Sequence, residues 1–232
     1  ARAIDSTMLV ALGTIASAQS NGTEATAEAT TKLLNYAATH PDATIRYNAS
    51  DMVAHCHSDA SYLPDPNSRS RAGGLYFLSS HPDKLDGKPP PLNGAILILS
   101  EIMRNVMASA AEAEVGATFR CGQEGCPIRT TLQELGHPQP ATPIQTDNKC
   151  AEGIINGTVK QRRSKAIDMR FYWIQDRAAQ GQFLIHWKPG IENLADYFTK
   201  HHAPAHHQQM RPIYLHVPDN STTTVTPQLS NG

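Results

Sequence analysis

The chain has 232 residues, a formal net charge of −1, 18% charged side chains and 6% aromatic ones. That length holds one domain with appendages or two small ones, and 40% hydrophobic residues against so little charge excludes disorder throughout. No apolar run approaches the roughly 20 residues of a membrane span, and the near-neutral balance restricts any nucleic-acid contact to local patches.

The first residue is Ala1 rather than Met, as expected of a piece of a longer product. Met8 to Ala18 imitates the core of a signal peptide, but Asp5 precedes it and no basic segment does, so an intracellular, non-secreted protein is expected. Ile4, Met8, Leu12 and Ile15 fall on one helical face. A second helix is predicted over 24–39, with Leu33, Leu34, Tyr36 and Ala37 on its apolar side, ending before Pro41. From Thr44 the pattern becomes extended. Met52–Tyr62, Arg71–Ser80 and Gly94–Ser100 read as three successive strands with turns between them, an antiparallel meander. Ile102, Val106, Ala110, Ala113 and Ala117 then follow one face of a long helix.

Pro143–Asp147 is a short strand followed by a short helix through Ile154 and Ile155. Lys160–Lys165 opens a helix whose buried face is Ile167, Phe171, Ile174 and Ala178. Gln182–Lys188 is another strand, and Pro189-Gly190 turns the chain into a last helix near Asn193–Lys200. The order of elements predicts an α/β layer with a mixed sheet. Cys56, Cys121, Cys126 and Cys150 are too sparse for a disulfide scaffold, and Cys121 and Cys126 lack a second Cys or His pair at zinc-finger spacing.

Four acids occupy telling places: Asp59 in the first strand, Glu114 in the long helix, Asp147 at the end of the fourth strand and Asp196 in the final helix. Carboxylates converging from separate elements are what hydrolysis of a phosphodiester by two divalent cations requires. Their flanks are HSDASY (57–62), SAAEAEVGA (109–117), TDNKCA (146–151), SKAIDMRFYWIQD (164–176) and ENLADYFTK (192–200), in that order. This succession resembles the ribonuclease H domain of copia-type retrotransposon Pol polyproteins, over about residues 30–202, with the chain's start similar to the trailing end of the reverse transcriptase domain.

The resemblance implies a ribonuclease H-like fold, a mixed five-stranded sheet flanked by helices. It implies three parts: a helical lead over 1–42, the nuclease over 43–203, and a polar, disordered tail over 204–232. It implies that Asp59, Glu114, Asp147 and Asp196 hold two Mg2+ ions, or Mn2+ in their place, and cut the RNA strand of RNA–DNA hybrids. The reverse transcriptase domain of the same polyprotein would be a partner and a membrane would not, and the setting would be a cytoplasmic particle or the nucleus. Glu112 is the reserve for the helix acid. It lies about 200° around a helix from Glu114, so both cannot face one metal pair.

Cellular relatives carry a mobile histidine loop before the last acid, whereas Trp187–Asp196 has none; His186 precedes it in a strand, and His201 and His202 follow Asp196 as possible substitutes. His201, His202, His206 and His207 read as an exposed loop, with metal binding as the alternative. His55 and His57 share a strand face with Asp59, which makes His57 a second reserve at the metal site.

Between residues 158 and 212 nine Lys and Arg stand against four acids, and Lys160, Arg162, Arg163 and Lys165, with Asn148 of the TDN motif, are the expected nucleic-acid contacts. Arg69 and Arg71 are weaker candidates. The competing reading is a catalytically inactive nucleic-acid-binding or structural appendage of a retroelement reverse transcriptase.

Overall fold

The computed structural model describes residues 4–159 and 169–216. Its five strands are β1 (Val53–Asp65), β2 (Arg69–Ser79), β3 (Ala95–Ile102), β4 (Thr142–Thr146) and β5 (Phe183–Trp187). They form one sheet in the order β3-β2-β1-β4-β5, antiparallel across β3, β2 and β1 and parallel from β1 to β4 and β5. A three-stranded meander followed by two parallel strands reached through helices is the ribonuclease H-like architecture that the sequence implies.

The helices are α1 (Leu9–Ser17), α2 (Glu24–Thr39), α3 (Ala110–Glu134), α4 (Lys149–Ile155), α5 (Met169–Ala179) and α6 (Pro204–Tyr214). α3 packs along one face of the sheet over Cys56, Tyr76, Leu99 and Ile144, with Ile174 of α5 and Phe183 of β5 completing that core. Two glycines let α3 lie so close: a Cβ at Gly122 would stand 2.7 Å from Cδ1 of Ile174, and one at Gly125 would stand 2.9 Å from the Phe183 ring. The other face is covered by Tyr197, Phe198, Tyr214 and Leu215 over Leu75, Phe77 and Ile98.

Several expectations change. α3 begins at Ala110, not near Ile102, because β3 runs on to Ile102 opposite Arg71 and Ser109 caps the helix by accepting from the Glu112 N–H at 3.1 Å. The predicted last helix is instead two 3-10 turns, Gly190–Glu192 and Asp196–Phe198. The stripe on α1 buries Val10 rather than Ile4 or Leu12, which are 62% and 41% exposed. No residue of α2 is buried, and Leu34 on its expected apolar side is 64% exposed. Arg71 is no surface contact for nucleic acid: it is 1% exposed and bonds Asp65 at 2.7 Å, with Ser100 and Thr14 also in reach. A buried guanidinium needs such partners to offset lost hydration.

The tail expected from residue 204 is the largest departure. α6 occupies 204–214, buries Tyr214 and Leu215, and ends in a bridge between Thr44 and His216. The apparent histidine loop belongs to this helix and its approach. His207 lies 2.6 Å from the Tyr197 hydroxyl and 2.9 Å from that of Tyr36, and Arg211 reaches both Tyr36 and Asp5. His201 meets Thr14, while His202 stacks on Tyr197. These imidazoles therefore form a seam joining the lead helices to the sheet's second face.

A chain ending at Ala203 is expected to be less stable to urea than one ending at His216 by several kcal/mol, since Tyr214 and Leu215 each bury an apolar side chain worth about 1.5–3 kcal/mol. Equal midpoints for the two chains would contradict this role for α6.

Candidate metal centre

The centre lies where β1, β4, α3 and the 190–200 turns meet. Alternation along β1 buries His55, His57 and Asp59 on one side, and Asp59, opposite Gly73 of β2, is 4% exposed. Glu114 projects from the first turns of α3 and is 5% exposed. Asp147 follows the last residue of β4, the strand parallel to β1, so its carboxylate enters from the same end of the sheet. One oxygen from each of Asp59, Glu114 and Asp147 lies within 4.8 Å of the others.

Asp196 stands beside this group rather than in it. Its Oδ1 is 2.5 Å from the Nζ of Lys200, and its charge acts on both Asp59 and Asp147. The structure thus brings together three of the four predicted acids and places the fourth at their margin.

Of the two acids at the start of α3, Glu114 is the one whose carboxylate lies with Asp59 and Asp147. Glu112 is taken up by the helix start, where its Oε2 accepts the Ala108 N–H at 2.7 Å. Glu114 accepts the Ala60 N–H at 3.2 Å and the Thr146 hydroxyl at 3.4 Å. His57 is not at the centre either. Its Nδ1 accepts the Leu194 N–H at 3.2 Å and its ring packs on Phe77, and burial, followed by the nearby His186 and His55, lowers its pKa to about 4. A neutral ring that accepts a backbone proton is what that position needs.

Asn148 caps α4, its Oδ1 accepting from the N–H groups of Cys150 and Ala151 at 3.0 Å each. Lys160, Arg162, Arg163 and Lys165, with Ile167 of the expected helix face, lie outside the described residues. His186 does lie in β5.

Several supporting residues escaped the sequence reading. Thr199 donates to Asp59 at 2.7 Å, Asn193 approaches its other oxygen at 3.4 Å, and the Trp187 indole N–H donates to the Asp147 carbonyl at 2.9 Å. Asn193 and Thr199 each stand three residues from Asp196 within ENLADYFTK (192–200), a motif that marked the segment without giving either side chain a role.

Burial is the first cause of strain here. It raises Asp59 to about 7, helped by the charges of Asp196 and Asp147, while the Thr199 hydroxyl pulls the other way. It raises Glu114 to about 9, with Asp59 and Asp147 adding to the effect. Asp147, more open, is raised by burial and then by Asp196. Clustered carboxylate oxygens with no sulfur or imidazole among them form the donor set of a hard divalent cation such as Mg2+ or Mn2+, whose charge would relieve that repulsion. The residues present therefore fit divalent-cation binding.

No family model matches the sequence. The chain is 27% identical over 154 residues to the Retrovirus-related Pol polyprotein from transposon TNT 1-94 of Nicotiana tabacum; the match covers 66% of this chain and 11% of that protein. The likeness to a retrotransposon Pol sequence expected from the motifs is borne out by this relative, of which the chain spans about a tenth. Among solved structures, LC11-RNase H1, isolated from compost by a metagenomic approach, aligns at 12% identity and a TM-score of 0.45 over 64% of this chain and 93% of its own. RNase H1 from the halophilic archaeon Halobacterium salinarum NRC-1 aligns at 15% and 0.37 over 63% and 94%, and the PFV RNase H domain at 17% and 0.38 over 66% and 93%.

The raised carboxyls make stability depend on pH. Glu114 folds with a pKa of about 9 against an ordinary 4.5, so between those values the native chain holds a proton that the unfolded chain releases. Stability must then fall as pH rises, by up to about 1.4 kcal/mol per pH unit for one group. In chelator, urea midpoints are expected to fall from about pH 7 to about pH 8, a window above ordinary histidine titration and below that of ordinary thiols. A midpoint that is flat or rises over this window would contradict the assignment.

Proposed function

We propose that this chain is the ribonuclease H domain of a retrotransposon Pol polyprotein of the copia type, a divalent-metal-dependent endonuclease that cuts the RNA strand of RNA–DNA hybrids. The observation that carries the reading is the convergence of Asp59, Glu114 and Asp147 within 4.8 Å, with Asp196 beside them. The curated relative, a retrovirus-related Pol polyprotein, supports the genetic setting. A reverse transcriptase domain of the same polyprotein is the proposed partner, and a cytoplasmic particle or the nucleus the proposed location. Among the described residues no helix is long and apolar enough to cross a membrane.

In this reading Asp59, Glu114, Asp147 and Asp196 hold two Mg2+ or Mn2+ ions. When bound, such ions supply an activated water and a counter-charge for the leaving oxygen. The residues of the chain set the geometry. Glu114, buried like Asp59, is held by the Ala60 N–H and the Thr146 hydroxyl, while the half-buried Asp147 and Asp196 lie toward the side where a phosphodiester would enter. Lys200, paired with Asp196, places a positive charge on that side. In such a reaction water would add to the scissile phosphorus in line as the bond to the leaving ribose oxygen breaks, with no covalent bond to a side chain. The RNA strand would be distinguished through A-form shape and 2′-hydroxyl contacts, with Lys160, Arg162, Arg163 and Lys165 as phosphate contacts.

Incubation with a labelled RNA–DNA hybrid and Mg2+ is expected to give cleavage that Asp59→Asn and Glu114→Gln each reduce by about 100-fold or more, while Glu112→Gln changes it by only a few-fold. Absence of metal-dependent cleavage by the intact chain would overturn the enzyme reading, and hybrid binding without cleavage would favour the inactive appendage. Loss with Glu112→Gln but not with Glu114→Gln would overturn the choice of helix acid.

A further inference from the structure

The turn that carries Asp196 also grips Asp59. Thr199 is completely buried, and its Oγ1 lies 2.7 Å from Oδ2 of Asp59 and 2.8 Å from the Asp196 carbonyl oxygen. A hydroxyl has one proton, and an ionised carboxylate is the stronger of these two acceptors. From the other side of Asp196 in sequence, Asn193 places Nδ2 2.9 Å from the Ser58 carbonyl and 3.4 Å from Oδ1 of Asp59. Both oxygens of the first-strand acid are thus met by side chains of one short segment.

That segment is itself fixed to the sheet. The Ser61 hydroxyl donates to the Thr199 carbonyl at 2.6 Å and the His57 ring accepts the Leu194 N–H, while within the segment the Asn193 Oδ1 accepts the Ala195 N–H at 3.2 Å. Gly73, the cross-strand neighbour of Asp59, leaves the necessary room: a Cβ there would stand 2.6 Å from Cγ2 of Thr199 and 2.7 Å from the Ala195 carbonyl oxygen. Valine would fill the volume of Thr199 without its hydroxyl. A buried hydroxyl is unfavourable unless it is bonded, so packing alone does not account for threonine at this position.

We propose that Thr199 is a positioning residue for the metal centre. Its hydroxyl fixes the orientation of the Asp59 carboxylate for divalent-cation binding, with Asn193 bracing the second oxygen, so that the first and fourth acids are set by one turn. This inference rests on the metal-dependent reading above. Thr199 acts through Asp59 and not on the substrate.

The test is calorimetric titration of the metal-free full chain with Mn2+, using the wild type, Thr199→Val and Thr199→Ser. Thr199→Val is expected to weaken Mn2+ binding by about 10- to 100-fold, the usual effect of losing a partner behind a metal ligand. Thr199→Ser, which keeps the hydroxyl, is expected to restore affinity to within a few-fold, and hybrid cleavage by Thr199→Val should lose kcat with KM little changed. Wild-type affinity in Thr199→Val overturns the proposal, as does Thr199→Ser binding as weakly as Thr199→Val, since the methyl group would then be what matters. If Thr199→Val does not fold, Thr199→Cys keeps the size with a weak donor; intermediate affinity supports the proposal and wild-type affinity overturns it. Failure of the wild type itself to bind Mn2+ sinks the metal reading, a result distinct from failure of the Thr199 role.

Discussion

Three carboxylates whose oxygens lie within 4.8 Å of one another, two of them almost fully buried, form an arrangement that a fold avoids unless something compensates. Much of the surrounding structure is compensation. The Ala60 N–H and Thr146 hydroxyl meet Glu114, Thr199 and Asn193 meet Asp59, and Lys200 meets Asp196. These donors come from two strands, β1 and β4, and the 190–200 segment, so the centre forms only when β1, β4, α3 and that segment are all in place. A local charge problem has become a constraint on the whole topology.

The constraint reaches the second face of the sheet. The turn bearing Asp196 continues into Tyr197 and Phe198, which pack with Tyr214 and Leu215 over Leu75, Phe77 and Ile98. Behind them, His207, Tyr36, Arg211 and Asp5 link α6 to the lead helices. Lead, final helix and centre are therefore one mechanical unit on this face. The turn that carries Asp196 and Thr199 is thus backed by residues far from either in sequence.

What could be read from sequence follows from how local each signal is. Strands β1 to β3 are legible because apolar and turn residues mark them directly, and Asp59 is legible because strand alternation and its flanking motif agree. Glu114 can be preferred over Glu112 from its motif, and in the structure Glu112 is instead bonded to the Ala108 N–H just before the helix start. The last predicted helix is instead two 3-10 turns, with Asn193 and Thr199 turning their side chains toward Asp59. α6 was hidden because residues 204–214 are rich in histidine and glutamine and contain two prolines, and the segment buries little beyond Arg211, Tyr214 and the adjoining Leu215. The burial of Arg71 was illegible for a simpler reason: Asp65, Thr14 and Ser100 assemble around it only in three dimensions.

The central claim is that the fold tolerates a repulsive acidic cluster for the sake of a divalent cation. Urea denaturation of Glu114→Gln at about pH 8, in chelator and then in millimolar Mg2+, tests it most directly. Glutamine keeps the shape and can still accept from Ala60, so the account predicts a variant at least as stable as the wild type without metal and with most of the Mg2+-induced stabilisation gone. A variant that is less stable in chelator, or that gains as much from Mg2+ as the wild type, would contradict the account.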